Sequence, residues 1–278
     1  MTALLRTASP LPGFGLGMGI LLTALSVVVL APIAALLGRG LAMGPGEIAG
    51  HLATSRVMAA LALSFRAALV ASAVNLVFGL ALAWVLTRYR FPGRRLIDAA
   101  VDLPFALPTA VAGIALTALY APAGPFGQLL GHAGLRVAYT EAGIWLALVF
   151  VGLPFVVRTV QPVIDEIDPE WEEASATLGA SRLRTLRRVV LPVLMPSLMT
   201  GFALALARSV GEFGSVIFIA GNLPGRTEIA PLLIVIRLEE YDYDAATAIG
   251  LAMLGISFAM LLFINVTQVW TRRRIGHV

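Results

Sequence analysis

The sequence predicts an all-α polytopic membrane protein with six transmembrane helices, and three observations predict it. Of 278 residues, 59% are hydrophobic and only 13% charged, and the mean hydropathy of +0.89 lies outside the range of water-soluble domains. Six apolar runs approach or exceed the roughly 20 residues that a helix needs to cross a hydrocarbon core about 30 Å thick. The basic residues cluster at alternate ends of those runs, as expected of short loops held on one side of a membrane.

The runs occupy about 14–37, 67–86, 102–120, 139–157, 194–219 and 245–269, and together make 1–278 a single transmembrane domain. The first follows Arg6 and is too long for the apolar segment of a secretory signal. Before the second, Glu47 to Phe65 reads as a partly apolar helix on the outer surface. Span three begins Asp102-Leu-Pro-Phe-Ala-Leu-Pro-Thr109. Pro104 and Pro108 free backbone carbonyls there, and such breaks are tolerated only against protein or a water-lined cavity. That helix is therefore expected to line a path, where Thr109 and Asn75 serve either as neutral donors or as interhelical partners. Span four is Tyr139 to Val157.

Span five carries Arg208 and Glu212, which are too costly to face lipid. Four residues apart, they share one helix face, and either reach into a path or pair with each other. Pro231 to Ile236 is too short to cross. The acidic stretch Glu239, Glu240, Asp242 and Asp244 then precedes span six as a solvated loop face or a docking patch.

Arginine placement sets the orientation. Arg6, Arg88, Arg90, Arg94, Arg95, Arg158, Arg182, Arg184, Arg187, Arg188, Arg272, Arg273 and Arg274 fall on one side. Arg39, Arg56, Arg136, Arg226 and Arg237 fall on the other, with Arg66 near a boundary and Arg208 inside a span. Positive loops stay cytoplasmic, so both termini are predicted to be cytoplasmic. The same placement explains the net charge of +4 without invoking nucleic acid.

Several chemistries are excluded. The chain has no cysteine, hence no disulfide or thiolate site, and no lysine, hence no GxxxxGK[ST] phosphate loop. GxSxG and HExxH are absent, and His51, His132 and His277 are isolated. The glycines from Gly13 to Gly19 follow no strand and read as helix-packing positions. This chain is therefore not expected to be an enzyme or to hold a metal or cofactor, and any ATP must be hydrolysed by another polypeptide.

The longest loop between spans, residues 165–192, reads as helix, turn, helix. Asp168 suits the N-cap and Pro169 the first helical position, while Glu170, Glu172 and Glu173 complement the helix dipole. Trp171, Ala174, Ser175 and Leu178 recur along one face. Gly179 supplies a left-handed C-terminal turn, and Ser181 can cap a second helix bearing Leu183, Leu186 and Val190.

Within this loop, Glu173-Ala174-Ser175, Gly179 six residues after the glutamate, and Leu191-Pro192 resemble the EAA loop of ABC importer permeases. The motif's second alanine is here Ser175. The resemblance implies a type I permease fold whose loop docks on a cytoplasmic ATPase and transmits its closure. Ala207-Arg-Ser-Val-Gly-Glu-Phe-Gly214, with the start of span three and Thr227 to Tyr243, further resembles oxyanion permeases, the sulfate/thiosulfate subunits of the CysT type above all. Molybdate and tungstate permeases are less similar. What this implies is a second permease subunit, an ATPase dimer carrying ATP and magnesium, an extracytoplasmic anion-binding protein, and a bacterial inner membrane. In that setting Glu173, Ala174, Ser175, Gly179, Leu191 and Pro192 couple to the ATPase, and Pro104, Pro108, Thr109, Arg208 and Glu212 border the anion's path. A channel or secondary transporter could use the same charged pair, but it has no need of a coupling loop.

Overall fold

The computed structural model describes the backbone of residues 14–275 and the side chains through 268. Arg6, Gly13 and His277 lie outside the described residues, and of Arg272, Arg273 and Arg274 only the helical backbone is described. Within them every regular element is a helix. In chain order these are α1 (Phe14–Met43), α2 (Pro45–Leu52), α3 (Ser55–Arg88), α4 (Arg94–Val101), α5 (Leu103–Ala106), α6 (Thr109–Tyr120) and α7 (Pro125–His132). There follow α8 (Glu141–Glu166), α9 (Pro169–Thr177), α10 (Arg182–Val210), α11 (Val216–Ile219), α12 (Ala230–Glu239) and α13 (Tyr243–Ile275). Five helices are long and apolar enough to cross a membrane, and α6 with α7, bent by 43°, makes a sixth when the pair is taken as one span.

The centre is a three-helix unit of α3, α8 and α10, with α13 packed beside α10 and α12. Its apolar contacts fall into groups at different heights. Leu63, Ile144, Leu148 and Ile219 pack at one end, and Leu86, Val160, Ile164 and Leu194 at the other. Phe65, Leu206, Leu233 and Ile249 join α13 to the unit. Between the two ends lie Ser72, Asn75 and Ser209, all buried. Gly152 permits the close approach there, since a Cβ on it would collide with Asn75 Nδ2 and stand 3.5 Å from Ser209 Oγ. Asn75 is thus inside the helix bundle, not on an open surface. By contrast α1 touches mainly α2 and α13 and leaves residues such as Leu16 and Val28 exposed, as a helix facing lipid or another subunit does.

Two helices contain a π-turn, Ser26–Leu30 in α1 and Leu186–Val190 in α10. Each is closed by a wider bond, Ala31 N–H to Ser26 O and Leu191 N–H to Leu186 O. Each immediately precedes an X-Pro step, at Pro32 and Pro192. Proline has no N–H and its ring crowds the carbonyl four residues back, so the ladder widens just ahead of it.

Several boundaries differ from the sequence expectation, span four among them, since α8 runs on to Glu166. Glu47 to Phe65 is not one surface helix: the chain breaks at Ala53, and Thr54 Oγ1 accepts from Val57 N–H at 3.4 Å. From Ser55 onward it belongs to α3, whose 34 residues span about 50 Å. Span three is three pieces, α5, a break at Leu107 and Pro108, and α6. Span five ends at Val210, beyond which Gly211 to Ser215 is not helical. Its beginning lies earlier, because the second loop helix runs through the π-turn into α10 without interruption.

Candidate functional site

The loop folds as helix, turn, helix. Asp168 caps α9 by accepting from Glu170 N–H at 3.0 Å. Gly179 has φ +78°, where a side chain would be strained, and the turn is closed by Ala180 N–H donating to Ser175 O at 3.1 Å and Gly179 N–H to Ala176 O at 2.9 Å. Ser175 Oγ lies 2.8 Å from Thr185 Oγ1, which fixes the angle between α9 and α10. Trp171 is 49% and Leu178 88% exposed. Seven residues apart, they leave an apolar strip uncovered. Glu173 is exposed beside them and borders a recess with Trp84, Arg182 and Thr185. Leu191 and Pro192, where span five was expected to open, lie inside α10 just past the π-turn.

Arg88, at the end of α3, anchors this loop. Its Nη2 donates to Ile167 O at 3.0 Å and stands 3.3 Å from Glu172 Oε1, while its guanidinium lies over the Trp84 ring at 5.5 Å. Arg158, expected in a loop, is inside α8. It bonds Asp98 Oδ1 at 2.6 Å and Asp102 Oδ1 and Oδ2 at 2.8 and 2.7 Å, which ties α4 and the start of α5 to α8. The hydrogen bond from Arg158 holds the Asp98 carboxyl below the usual carboxylate range.

Deeper in the bundle, the two broken segments meet. Gly214 packs directly on the Thr109 hydroxyl, and a Cβ on Gly113 would stand 2.5 Å from Ser215 O. The first turn of α6 therefore lies against the non-helical stretch that follows α10. In that stretch Glu212 is 3% exposed and binds Arg208 Nη1 at 2.6 Å. Its other oxygen accepts from Ser215 N–H at 2.9 Å and Ser215 Oγ at 2.8 Å. Glu212 thus pairs with Arg208 from beyond the helix end rather than along a shared face. Arg208 is one-third exposed. Pro108 is the N-cap of α6, whereas Pro104 is in α5 beside Phe105, whose ring meets Phe155 of α8 edge-on at 5.2 Å. Pro104 thus lies in the helix before the break, apart from the Thr109 to Ser215 contact.

A family model described as the inner membrane component of binding-protein-dependent transport systems matches residues 75–277, a stretch that contains both the loop and the broken helices. The chain belongs to this family. Among its relatives is the sulfate transport system permease protein CysT of Salmonella typhimurium, 50% identical over 96% of this chain and 97% of that protein. The Escherichia coli protein of the same name is 48% identical over the same shares, and that of Synechocystis sp. 45% identical over 90% and 87%. Among solved structures, a bacterial alginate ABC transporter, in complex with its alginate pentasaccharide-bound periplasmic protein, matches with TM-score 0.75 and 18% identity over 95% of both chains. The inward-facing MetNI methionine ABC transporter matches with TM-score 0.53 and 20% identity over 78% of this chain and 94% of that one. At these identities the structures speak to fold alone, and the fold is that of an ABC importer permease.

Two arginines that tie helices together were not singled out by the sequence. Arg88 and Arg158 read there only as topological charges, since the carboxylates they bind are 56 to 84 positions away along the chain. Thr185 was likewise unremarkable until the turn at Gly179 brought it to Ser175. The i, i+4 spacing of Arg208 and Glu212 did signal their pairing, although it could not place the helix end between them.

Proposed function

We propose that this permease passes sulfate, and the similar thiosulfate, from an extracytoplasmic binding protein to the cytoplasm, driven by ATP hydrolysed with magnesium on a separate ATPase dimer. The observation that carries the substrate is the near-full-length likeness to sulfate permeases at about half identity. In this reading the arginine-rich side is cytoplasmic, and a second, different permease subunit completes the path. The uncovered strip of Trp171 and Leu178, with Glu173 beside it, docks on the ATPase, and its movement reaches the spans through the Gly179 turn and α10.

Along the path, a dianion needs oriented donors because an isolated charge is too costly in hydrocarbon. The first turn of α6, opening at Thr109, presents unpaired backbone N–H groups and the positive end of the helix dipole. Arg208 adds a guanidinium held in place by Glu212. These groups would meet the anion when ATP binding turns the path outward. The test is ATP-dependent uptake of labelled sulfate into vesicles carrying the chain with its partners, in competition with thiosulfate and molybdate. Inhibition by thiosulfate but not by molybdate is expected. Inhibition by molybdate alone assigns a molybdate permease, and uptake without ATP rules out an ATP-driven importer.

A further inference from the structure

At the arginine-rich ends of the spans, two recesses outside the path adjoin. One is an apolar groove of about 620 Å³ between the end of α3 and the start of α10, with Val77, Ala81 and Trp84 on one wall and Leu186, Leu191 and Leu194 on the other. It ends at Tyr89, Arg90 and Phe91. Arg90 and Phe91 also line the second recess, of about 520 Å³, with Arg94, Arg95 and Asp98.

Charge in the second recess is one-sided. Its single acid, Asp98, is already engaged by Arg158 at 2.6 Å and by Gln161 Nε2 at 3.2 Å. Arg90 and Arg95 are exposed and form no ion pair among the described residues, and Arg94 is only a longer-range neighbour of Asp98. Three guanidiniums thus sit at the mouth of an apolar groove, at the level where Trp84 and Tyr89 mark the membrane interface.

We propose that the two recesses together hold one anionic phospholipid, with its phosphate among Arg90, Arg94 and Arg95 and an acyl chain along α3 and α10. A small soluble anion leaves the groove empty, and an uncharged lipid or a protein helix leaves three arginines without a counter-charge. A lipid with a net negative headgroup satisfies both. Its chain also lies against Leu186, the first residue of the π-turn, and Leu191, just past it, so occupancy bears on how that joint moves. The binding itself stands apart from the transport reading; only this last consequence rests on it.

The test is native mass spectrometry of the chain within its purified transporter, from membranes containing phosphatidylglycerol and phosphatidylethanolamine. The expected result is selective retention of phosphatidylglycerol, reduced roughly 100-fold in the triple variant Arg90→Gln, Arg94→Gln, Arg95→Gln. Ala81→Trp, which fills the groove from an exposed position, should also displace it while the arginines remain. Equal retention of both lipids, or retention unchanged by the arginine substitutions, overturns the proposal. So does a photo-crosslinker at Ala81 that captures a second polypeptide in place of lipid. Absence of sulfate uptake by the unsubstituted transporter, with lipid binding intact, would count against the transport reading and leave the lipid site standing.

Discussion

Ser175 Oγ and Thr185 Oγ1 are hydrogen-bonded at 2.8 Å across the Gly179 turn, a side-chain link between α9 and α10 beside the backbone bonds that close the turn. Ser175→Ala or Thr185→Val removes it at a cost of about 0.5–1.5 kcal/mol, too little to unfold the chain. The expected outcome is normal membrane insertion with more ATP hydrolysed per anion taken up, measured as the ratio of the two rates in vesicles. An unchanged ratio would show that the bond is incidental to coupling.

Gly179 holds φ +78°, and the space its missing Cβ would occupy has no neighbouring atom within 4 Å, so a substitution acts through the backbone alone. Gly179→Val should strain the turn by at least about 1–2 kcal/mol and abolish coupled uptake, while Gly179→Asn, which tolerates the left-handed region, should retain a substantial part. Uptake assays on both variants decide; equal activity would mean that the turn geometry is not needed.

Arg88 joins α3 to the loop through Ile167 O and Glu172. Arg88→Lys keeps the charge but cannot keep both contacts and the stacking on Trp84. Coupled uptake should therefore fall in Arg88→Lys nearly as far as in Arg88→Ala, whereas Glu172→Gln should have a small effect because that ion pair is partly exposed.

The Arg208 and Glu212 pair is asymmetric. Glu212 is almost fully buried and Arg208 one-third exposed, so Arg208→Ala strands a buried carboxylate at a cost of about 3–5 kcal/mol, while Glu212→Gln leaves an arginine that can reach water. Thermal melting of the purified complex should show the larger loss for Arg208→Ala. A double variant, Arg208→Ala with Glu212→Gln, should recover stability without recovering uptake if Arg208 also meets the anion.

Asp98 offers a pH test. Its carboxyl is held below the usual range by Arg158, so the link's contribution is present above the unfolded value of about 3.9 and is lost as pH falls through the lowered folded value. Melting of Asp98→Asn should be depressed at neutral pH and converge with the parent only in strong acid. A difference that grew on acidification would contradict this assignment.

Much of the molecule was legible along the chain. Asp168-Pro169, the glutamates after them and Gly179 announced the loop because caps and turns are local chemistry. The two prolines near Thr109 announced a broken helix for the same reason. Hydropathy did not locate the end of α10, since Phe213, Val216, Ile217 and Phe218 continue the apolar run although the backbone leaves the helix at Gly211. Nor did it separate α2 from α3, because Ser55 to Phe65 is mainly apolar on either assignment.

By itself, then, the sequence determined the bilayer as solvent, most of the apolar helices and the shape of the loop, because each depends on short-range composition and periodicity. Tertiary structure alone decided which charges far apart along the chain are paired. Arg56 with Glu228, 172 positions apart, and Arg158 with Asp98 and Asp102 form because packed helices bring distant residues within hydrogen-bond reach. It also decided that Asn75 lies inside the bundle beside Gly152, and that the start of α6 meets the end of α10. A helical period says which residues share a face, but what that face meets is set only when the helices pack.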